Sequence, residues 1–510
     1  MRSLSQSVIA RSIIVILLFS VLTPILLYDE RIVEQESEQL EEINPLSVSG
    51  RAKANHYLTS AGSTGFEYAS VMAGFGNGNI VAGDFGNTAT FGQTTINPTS
   101  PYHASCAQQI SRYCEFFLGS VSDTGGWDWV ATGDHSNGYS FVNDVGAGMG
   151  GEAIIGGFYS GSVQFGMQTI TSQAGDGYLA KTDPFGNFMW AHSHATTGTN
   201  NNTSSVDAVE FDFNGDIVIA GSFDGNTDFG GTTLNAVSPS LYVAKYDGNS
   251  GQLKWVVSGG SGNTGVLDLH TSMNGQIILA GINQNAVTFG QQLYANAGIA
   301  DSFLLELDTN GAIVTLVGYG VPNEIVIITG ITEDMNGNMY YVGGFGGTLQ
   351  GQGWSLSASQ GNRDAFLIMD PASGNGWATS GGSSNNDSFS GVALLSTGEI
   401  IVSATISSSF TAGINTASPT GNNEILVGGL DSTGAWSWLD TSGSSADEVA
   451  SGISVNMSDI VTVAGGFSGT VTKGTYSVTT SGSYDVFLWA FDPATKQDMD
   501  NDGIPDAGFD

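Results

Sequence analysis

A repeat of about 60 residues runs through most of the chain and constrains the fold more than any other feature. In each copy an apolar strand ends in a small residue, and these residues mark the seven copies: Gly83, Gly156, Gly221, Gly281, Gly343, Ala404 and Gly465. An Asp closes the next apolar strand at a matching spacing: Asp123, Asp183, Asp247, Asp308, Asp370, Asp431 and Asp492. Because the two series agree, the sequence predicts seven equivalent units.

Each unit contains four short apolar strands separated by turn dipeptides such as Asn214-Gly215, and no helical period interrupts them. Glycine accounts for 73 of 510 residues and proline for only 11, which suits a turn-rich β protein with a packed core. A four-stranded sheet that is apolar on both faces must cover those faces by stacking on its neighbours. The sequence therefore predicts an all-β fold, a seven-bladed β-propeller of four-stranded blades.

The two ends of the repeat region predict how the ring closes. The seventh unit stops after Asp492 without the aromatic-led strand that ends the other units, whereas Tyr57 to Gly62 has the pattern of such a strand and precedes the first unit. We expect this N-terminal strand to complete the last blade, which leaves no unpaired outer strand. The propeller then spans residues 52–496, and we expect it to be monomeric.

The repeat also resembles a known family. The strand-Gly-x-Phe step of Gly221-Ser222-Phe223, the Phe-Gly pair of Phe91-Gly92 and the Asp-x-x-Gly-x-x-x-Trp end are similar to the seven-bladed β-propeller (SBBP-type) repeats of exported microbial proteins. The resemblance implies a secreted or cell-surface role. It implies no particular activity, because a shared fold does not establish function.

The N-terminal segment predicts export. Arg2 and Arg11 precede the apolar run 13–28, so residues 1–28 form a signal peptide or a signal anchor, and residues 8–28 are long enough to tether the chain to a membrane if they are retained. Residues 29–51 begin with a run of Glu and Asp and predict an acidic linker. The sequence thus places the propeller outside the cell, secreted or anchored at its surface.

The charge balance excludes one class of partner. The chain has 12 Lys and Arg against 48 Asp and Glu, a formal net charge of −36. A nucleic-acid-binding protein needs a basic patch to displace counterions, and this sequence offers none. Cations, cationic surfaces and neutral glycans remain as ligands.

The Asp-rich tail, residues 497–510, predicts a calcium site. Asp498, Asp500 and Asp502 alternate before Gly503, and Asp506 follows, which is the spacing that gathers hard oxygen ligands around Ca²⁺. The segment resembles one thrombospondin type 3 repeat more than an EF-hand, because Phe509 stands where an EF-hand has Glu. The alternative is a solvated acidic tail without a bound ion.

A second group of acids lies near the starts of the first strands of several units: Glu67, Asp207, Glu324, Asp387 and Asp447. If these strands are innermost, the five carboxylates meet at one mouth of the central channel and hold a cation there. The alternative is that they are ordinary turn and strand-end acids.

The two cysteines lie inside an insertion in the first unit. Cys106 and Cys114 predict a disulfide that closes a loop in an exported protein, and the spacing does not suit a metal or redox motif. The insertion, residues 96–115, is the largest departure from the repeat and includes Tyr102, His103 and Tyr113. It is therefore a candidate recognition loop.

Two further side-chain patterns have competing interpretations. His192 and His194 face the same side of a strand and form at most half of a metal site, because the sequence shows no third ligand. The tryptophans of the trailing strands are either sugar-stacking platforms or packing between blades, and their recurrence in most units favours packing.

Three function classes are consistent with these observations. The first is a non-catalytic extracellular binding or adhesion module for a macromolecule or glycan, because the sequence shows no set of nucleophile, base and orienting group. The second is an extracellular enzyme, either polysaccharide-active or quinone-dependent, with its site at the channel mouth; Asp247 to Trp255 resembles the docking segment of quinone-dependent propellers. The third is a structural component of a surface layer.

Overall fold

The computed structural model describes residues 57–99, 115–197, 203–260, 263–358 and 360–493. The predicted leader and linker, both cysteines and the Asp-rich tail with Asp498, Asp500, Asp502 and Asp506 lie outside these residues. Within them every regular element longer than one turn is a β-strand, so the all-β prediction is confirmed. The described residues include no helix that is long and apolar enough to cross a membrane.

The strands follow the chain in blade order. After β1 (Tyr57–Ala61), blade 1 has β2 (Glu67–Phe75), β3 (Gly78–Phe85), β4 (Ala89–Phe91), β5 (Thr94–Ile96), β6 (Glu115–Val121) and β7 (Trp127–Ala131). Blade 2 has β8 (Asp134–Ala147), β9 (Ala153–Phe165), β10 (Gln168–Thr182) and β11 (Phe188–His194). Blade 3 has β12 (Thr196–Thr197), β13 (Ala208–Phe211), β14 (Ile217–Asp228), β15 (Thr233–Tyr246) and β16 (Leu253–Gly259).

The remaining four blades have more uniform strands. Blade 4 has β17 (Thr264–Thr271), β18 (Ile277–Asn283), β19 (Val287–Phe289), β20 (Gln292–Tyr294), β21 (Asp301–Leu307) and β22 (Ile313–Tyr319). Blade 5 has β23 (Val326–Glu333), β24 (Met339–Phe345), β25 (Thr348–Gly351), β26 (Trp354–Ser357), β27 (Asp364–Asp370) and β28 (Trp377–Gly381). Blade 6 has β29 (Phe389–Leu394), β30 (Ile400–Ile406), β31 (Phe410–Ala412), β32 (Asn415–Ala417), β33 (Glu424–Leu430) and β34 (Trp436–Ser442). Blade 7 has β35 (Glu448–Val455), β36 (Val461–Phe467), β37 (Thr470–Lys473), β38 (Tyr476–Thr479) and β39 (Asp485–Phe491).

Each blade is an antiparallel meander whose first strand is innermost. A short hairpin separates the second and third main strands in blades 1, 4, 5, 6 and 7, whereas in blades 2 and 3 the same two strands run on without a break. The innermost strands contact one another in a closed ring, in which β2 touches both β8 and β35. The predicted seven-bladed β-propeller is therefore confirmed.

The ring closes through β1, as the sequence predicts. This strand pairs with β39 as the outermost strand of blade 7, with Tyr57 opposite Ala490 and Ser60 opposite Phe487. The last blade is thus built from both ends of the propeller.

The core consists of seven clusters of buried apolar side chains, and each lies between two neighbouring blades. Six interfaces share an aromatic residue at one position of the outermost strand, and the structure confirms that these rings pack between blades: Trp129, Trp190, Trp255, Trp377, Trp438 and Tyr57. At this position blade 4 has Thr315 instead.

A β-bulge in the innermost strand explains the small residue that marks each repeat. In blade 5 the bulge lies between Ile328 and Gly330, and it brings the Ile327 carbonyl so close to Gly343 that a Cβ there would overlap it. In blade 2 the residue at this position is Gly157, so the sequence assignment of Gly156 is wrong by one residue. Blade 6 tolerates Ala404 at this position.

The residue in the bulge also ties neighbouring blades together. The Ser451 hydroxyl donates to the carbonyl of Ala69 in blade 1 at 2.6 Å, and the Thr329 hydroxyl donates to that of Phe389 in blade 6 at the same distance. The Asn143 amide donates to the Val206 carbonyl of blade 3 at 2.9 Å.

The repeated Asp forms a turn in most blades. Asp308 accepts the backbone N–H groups of Asn310 and Ala312, and Asp183 and Asp431 cap their turns in the same way. Blades 1 and 5 depart from this pattern, because Ser122 takes the turn position in blade 1 and Pro371 follows the strand end in blade 5. Asp370 therefore belongs to strand β27 and not to the turn.

Candidate functional site

The seven innermost strands enclose an axial channel of about 600 Å³. Its wall extends from the bulges to the ends of these strands, so it lies at the opposite end of the innermost strands from most of the predicted acids. The ionisable side chains of this wall occur on blades 2 to 5: Asp144, Asp207, Glu210, Asp268, His270 and Glu333. We call this part of the wall the acidic arc.

Asp144 and Asp268 occupy the same position, directly after the bulge, in blades 2 and 4. The Asp144 carboxylate accepts hydrogen bonds from two backbone N–H groups, that of the next residue, Val145, and that of Val209 in blade 3, both at 2.8 Å. Asp268 binds Leu269 at 2.8 Å and Ile331 of blade 5 at 2.7 Å in the same way. Each carboxylate therefore joins two blades and is held in a fixed position.

Burial in the channel wall raises the pKa of both carboxyl groups. The pKa of Asp144 rises to about 8, because desolvation and the charges of Asp268 and Glu210 outweigh its two N–H bonds. The pKa of Asp268 rises to about 7, again chiefly through desolvation, with two N–H bonds and nearby His270 acting in the opposite direction. Both carboxyl groups therefore hold their protons to a higher pH than an exposed aspartate does.

His270 lies between two carboxylates at the end of the channel. Its Nδ1 is 3.3 Å from Glu210 Oε1 and its Nε2 is 3.7 Å from Glu333 Oε2. Desolvation opposes the charged imidazolium, but Glu210 and Glu333 overcome it and raise the pKa of His270 to about 10. The two acids also bind the backbone N–H groups of Thr271 and Met273. Glu210, His270 and Glu333 together therefore carry a net negative charge across blades 3, 4 and 5.

The opposite side of the channel has no side chain at the position of Asp144 and Asp268. Gly330, Gly391 and Gly452 stand there in blades 5, 6 and 7, and we call them the glycine arc. A Cβ at Gly391 would lie 2.9 Å from Ile453 Cγ2, and one at Gly452 would lie 3.0 Å from Met72 Cγ. Glycine here lets neighbouring innermost strands approach one another closely.

Of the five acids predicted to meet at a channel mouth, Asp207 is the one that lines the channel. It accepts a hydrogen bond from the Asn143 amide at 3.3 Å, and burial raises its pKa to about 6 against a hydrogen bond from Ser205. The structure does not bring Glu67, Glu324, Asp387 and Asp447 to the channel wall.

Those four acids lie in or beside the loops between blades. Glu67 accepts the N–H and hydroxyl of Ser63 at 2.8 and 2.6 Å, and Asp387 binds Ser383 in the same way. Burial raises the pKa of Glu67 to about 7, although Ser63 opposes the shift. Asp447 accepts from the Asn423 amide at 3.1 Å, and the Glu324 backbone closes a loop with Val321. The hydrogen bonds of these four residues hold the loops between blades in place.

The histidine pair belongs to a core. His194 is 1% exposed, and its ring nitrogens lie 3.3 and 3.0 Å from the hydroxyls of Tyr242 and Tyr246. Burial lowers the pKa of His194 to about 3. The His192 ring lies 5.0 Å from that of Trp190 on the same strand, at a tilt of 37°. The described part of the chain holds no group of three or more His, Cys, Asp or Glu side chains arranged for a metal ion.

Sequence reasoning missed most of the acidic arc. Asp144 and Asp268 share one offset from the small residues Gly157 and Gly281, which is a signal that an alignment of the seven copies could have found. Glu210 and His270 also occupy equivalent positions, in blades 3 and 4.

No protein-family model and no curated protein matches the chain. Among solved structures it is similar to an acylaminoacyl peptidase of Pyrococcus horikoshii, with 6% identity, a TM-score of 0.40 and coverage of 83% of this chain and 51% of the peptidase. It is also similar to the Dos1 propeller, with 10% identity, a TM-score of 0.38 and coverage of 86% and 95%. The chain thus spans about half the length of the peptidase.

Proposed function

We propose that this protein is a non-catalytic extracellular or cell-surface binding module, which engages a neutral or cationic macromolecule or glycan at the acidic end of its axial channel. The observation that carries the proposal is the acidic arc itself. Its carboxyl groups are fixed by backbone hydrogen bonds in a preorganised geometry, with the Asp144 and Asp268 carboxyl groups as polar partners and the Glu210, His270 and Glu333 group as the negative charge.

The electrostatics of the channel support a neutral or cationic ligand. Three of the five basic side chains between residues 115 and 493 are bound in ion pairs elsewhere, with Lys245 on Asp212 at 2.6 Å and Lys254 on Asp216 at 2.5 Å as examples. None of the five lines the channel. A cationic group in the channel would stabilise the ionised forms of Asp144 and Asp268.

The remaining parts of the proposal rest on the sequence. Residues 1–28 direct export, and if they are retained, residues 8–28 tether the propeller to the membrane. The Asp-rich tail binds Ca²⁺ through Asp498, Asp500, Asp502 and Asp506, Cys106 and Cys114 form a disulfide, and the repeat is of the SBBP type. Calorimetry of the full chain with and without Ca²⁺, beside the D500N variant, tests the tail.

Binding of the full chain to a printed array of neutral, amine-bearing and sulfated glycans, and to polylysine-coated surfaces, tests the proposed function. We expect binding to neutral or amine-bearing probes and none to sulfated ones. The double variant Glu210→Gln/Glu333→Gln should weaken binding at least tenfold, while Asp128→Asn, on the outer strand of blade 1, should not. Blank arrays and surfaces, or equal binding by both variants, would refute the channel as the recognition site.

One observation favours an enzyme as the second candidate. Asp144 and Asp268 share a cavity and have pKa values of about 8 and 7, which is the range of catalytic acids and bases. Turnover of a polysaccharide panel, or of a sugar substrate with added quinone cofactor, that disappears in Asp144→Asn would replace the binding proposal. Self-assembly of the purified chain into sheets would instead support a structural surface-layer role.

A further inference from the structure

A second cavity, of about 370 Å³, lies between blades 4 and 5 and shares no lining residue with the axial channel. It occurs at the interface where the repeated aromatic residue is replaced by Thr315. At five of the other interfaces this ring covers the turn of the following blade. For example, Trp255 lies over Gly311, and its Nε1 donates to the Thr309 carbonyl at 3.2 Å. The corresponding turn of blade 5 therefore has no indole above it, and Gly374 of that turn lines the cavity.

Two more residues of the same interface depart from the repeat. Tyr341 stands at a position of the second strand that is aliphatic in the other six blades: Val81, Ile155, Ile219, Leu279, Val402 and Val463. Asp370 stands at the last position of the third strand, where blade 4 has the buried Leu307. Compared with the other blades, this interface has Thr315 in place of an aromatic ring, and it has the Tyr341 hydroxyl and the Asp370 carboxylate in place of aliphatic side chains.

Three polar side chains of this cavity form no hydrogen bond within the part of the chain that the structure describes. Tyr341 is only 4% exposed, yet among the described residues its hydroxyl has no hydrogen-bond partner. The same holds for the Tyr319 hydroxyl and for the Asp370 carboxylate. Burial and the charge of Asp370 raise the pKa of Tyr319 to about 12, so its hydroxyl stays protonated and can donate. Tyr319 is half-buried and Asp370 is exposed, so both polar groups are open to the cavity, and a ligand that enters it can replace water as their hydrogen-bond partner.

The composition of the wall identifies the ligand class. Trp354, on the outer hairpin of blade 5, supplies a partly buried indole. Glu306, Gln350 and Gln352 add acceptors and donors to those of the two phenols and Asp370. An apolar ring face with hydroxyls around its edge matches this combination of one aromatic surface and many hydrogen-bonding groups. The carboxylates disfavour an anionic ring.

We propose that the cavity between blades 4 and 5 binds one neutral sugar ring, with Trp354 under its apolar face and the Tyr341 hydroxyl, Tyr319 and Asp370 bonded to its hydroxyls. This inference rests on the proposed function, because it gives the binding module a saccharide site apart from the channel.

The test uses the full chain and saturation-transfer NMR with glucose, galactose, mannose and N-acetylglucosamine as probes, and with choline as a cationic probe. We expect at least one sugar to bind with millimolar affinity. Tyr341→Phe should weaken that binding tenfold or more without lowering Tm, since the hydroxyl has no partner in the protein. The matched control is Tyr340→Phe on the same strand, which should leave binding unchanged.

A second variant fills the cavity. Thr315→Trp restores the residue that blades 1, 2, 3, 5 and 6 have, so it should abolish sugar binding while Tm stays equal or rises. Sugar binding unaffected by both Thr315→Trp and Tyr341→Phe would overturn the inference and leave the proposed function standing. Binding of choline alone at the cavity, or of none of these probes, would also overturn it; if the array and surfaces were blank as well, the proposed function would fail with it.

Discussion

The acidic arc and the glycine arc belong to one ring of innermost strands, yet they line the channel in opposite ways. On the acidic arc, Asp144 and Asp268 reach across to the next blade and bind its backbone N–H groups. On the glycine arc, Gly391 and Gly452 have no side chain, and the neighbouring strands contact one another directly. The repeat therefore fixes the scaffold, and the residue directly after the bulge decides whether a carboxyl group or close backbone packing joins neighbouring blades at this position.

The largest effect should come from a position that both arcs share. Gly221→Ala in blade 3 and Gly465→Ala in blade 7 place a Cβ against a backbone carbonyl, and each should cost about 3 kcal/mol or more in unfolding free energy. Ala404→Gly in blade 6 is the control and should cost about 1 kcal/mol. Urea unfolding measures all three. A much smaller loss in one blade than in the other would show that the arcs differ in blade construction and not only in charge.

The next largest effect should come from the acidic arc alone. Asp268→Ala removes the acceptor of two N–H groups in different blades and should lower the unfolding free energy by about 2–3 kcal/mol. Asp268→Asn keeps an acceptor oxygen and should lower the unfolding free energy by less. Gly391→Ala on the other arc breaks no hydrogen bond and tests close packing alone. If Asp268→Ala were as stable as the wild type, the carboxylate would not join the blades.

A smaller effect should follow from the imidazolium between the two glutamates. His270→Gln should destabilise the fold by about 1 kcal/mol at pH 7, because Glu210 and Glu333 lose the charge that separates them. The pKa of His270 is raised in the folded state, so its contribution is fully present below its ordinary pKa and is lost as pH rises through about 10. Equal denaturation midpoints for variant and wild type at pH 7, with a difference only at pH 11, would contradict this.

The smallest effect should be a pH slope. The pKa of Asp144 is raised to about 8, so the folded state holds its proton where the unfolded state has lost it, and stability falls as pH rises from about 4 to 8. Because Asp144 is partly exposed in the channel, we expect a slope of a few tenths of a kcal/mol per pH unit. Asp144→Asn should flatten the slope between pH 5 and 8, whereas Gly452→Ala should not change it. Thermal unfolding at several pH values measures both.

The sequence predicts the scaffold better than the site, for a physical reason. The ring and its closure follow from features present in nearly every copy, such as the Tyr57 to Gly62 pattern that matches the trailing strands. The acidic arc depends on Asp144 and Asp268, which occur in two copies and face the channel only because a bulge precedes them. Since a shift of one residue moves a side chain to the other face of a strand, an unseen bulge hides which acids point inwards.

The same difficulty explains the smaller errors. Asp123 and Asp370 follow the spacing of the repeat, but the strands before them place Ser122 and Pro371 at the turn. A count along the chain cannot detect a change in strand end of one residue. The pairing of Met339 with Asp370 shows that strand β27 includes Asp370, so the turn begins one residue later than the spacing of the repeat predicts.

The pairing of β1 with β39 has a mechanical consequence. The strands are antiparallel, so the residue that enters the propeller, Tyr57, lies beside the end of the last strand, opposite Ala490. Tension pulling residues 57 and 491 apart would load the hydrogen bonds of this pair one after another, as in an unzipping hairpin, and not all together as in shear. Under load the propeller would yield first at blade 7, while the other six blades bear no direct force.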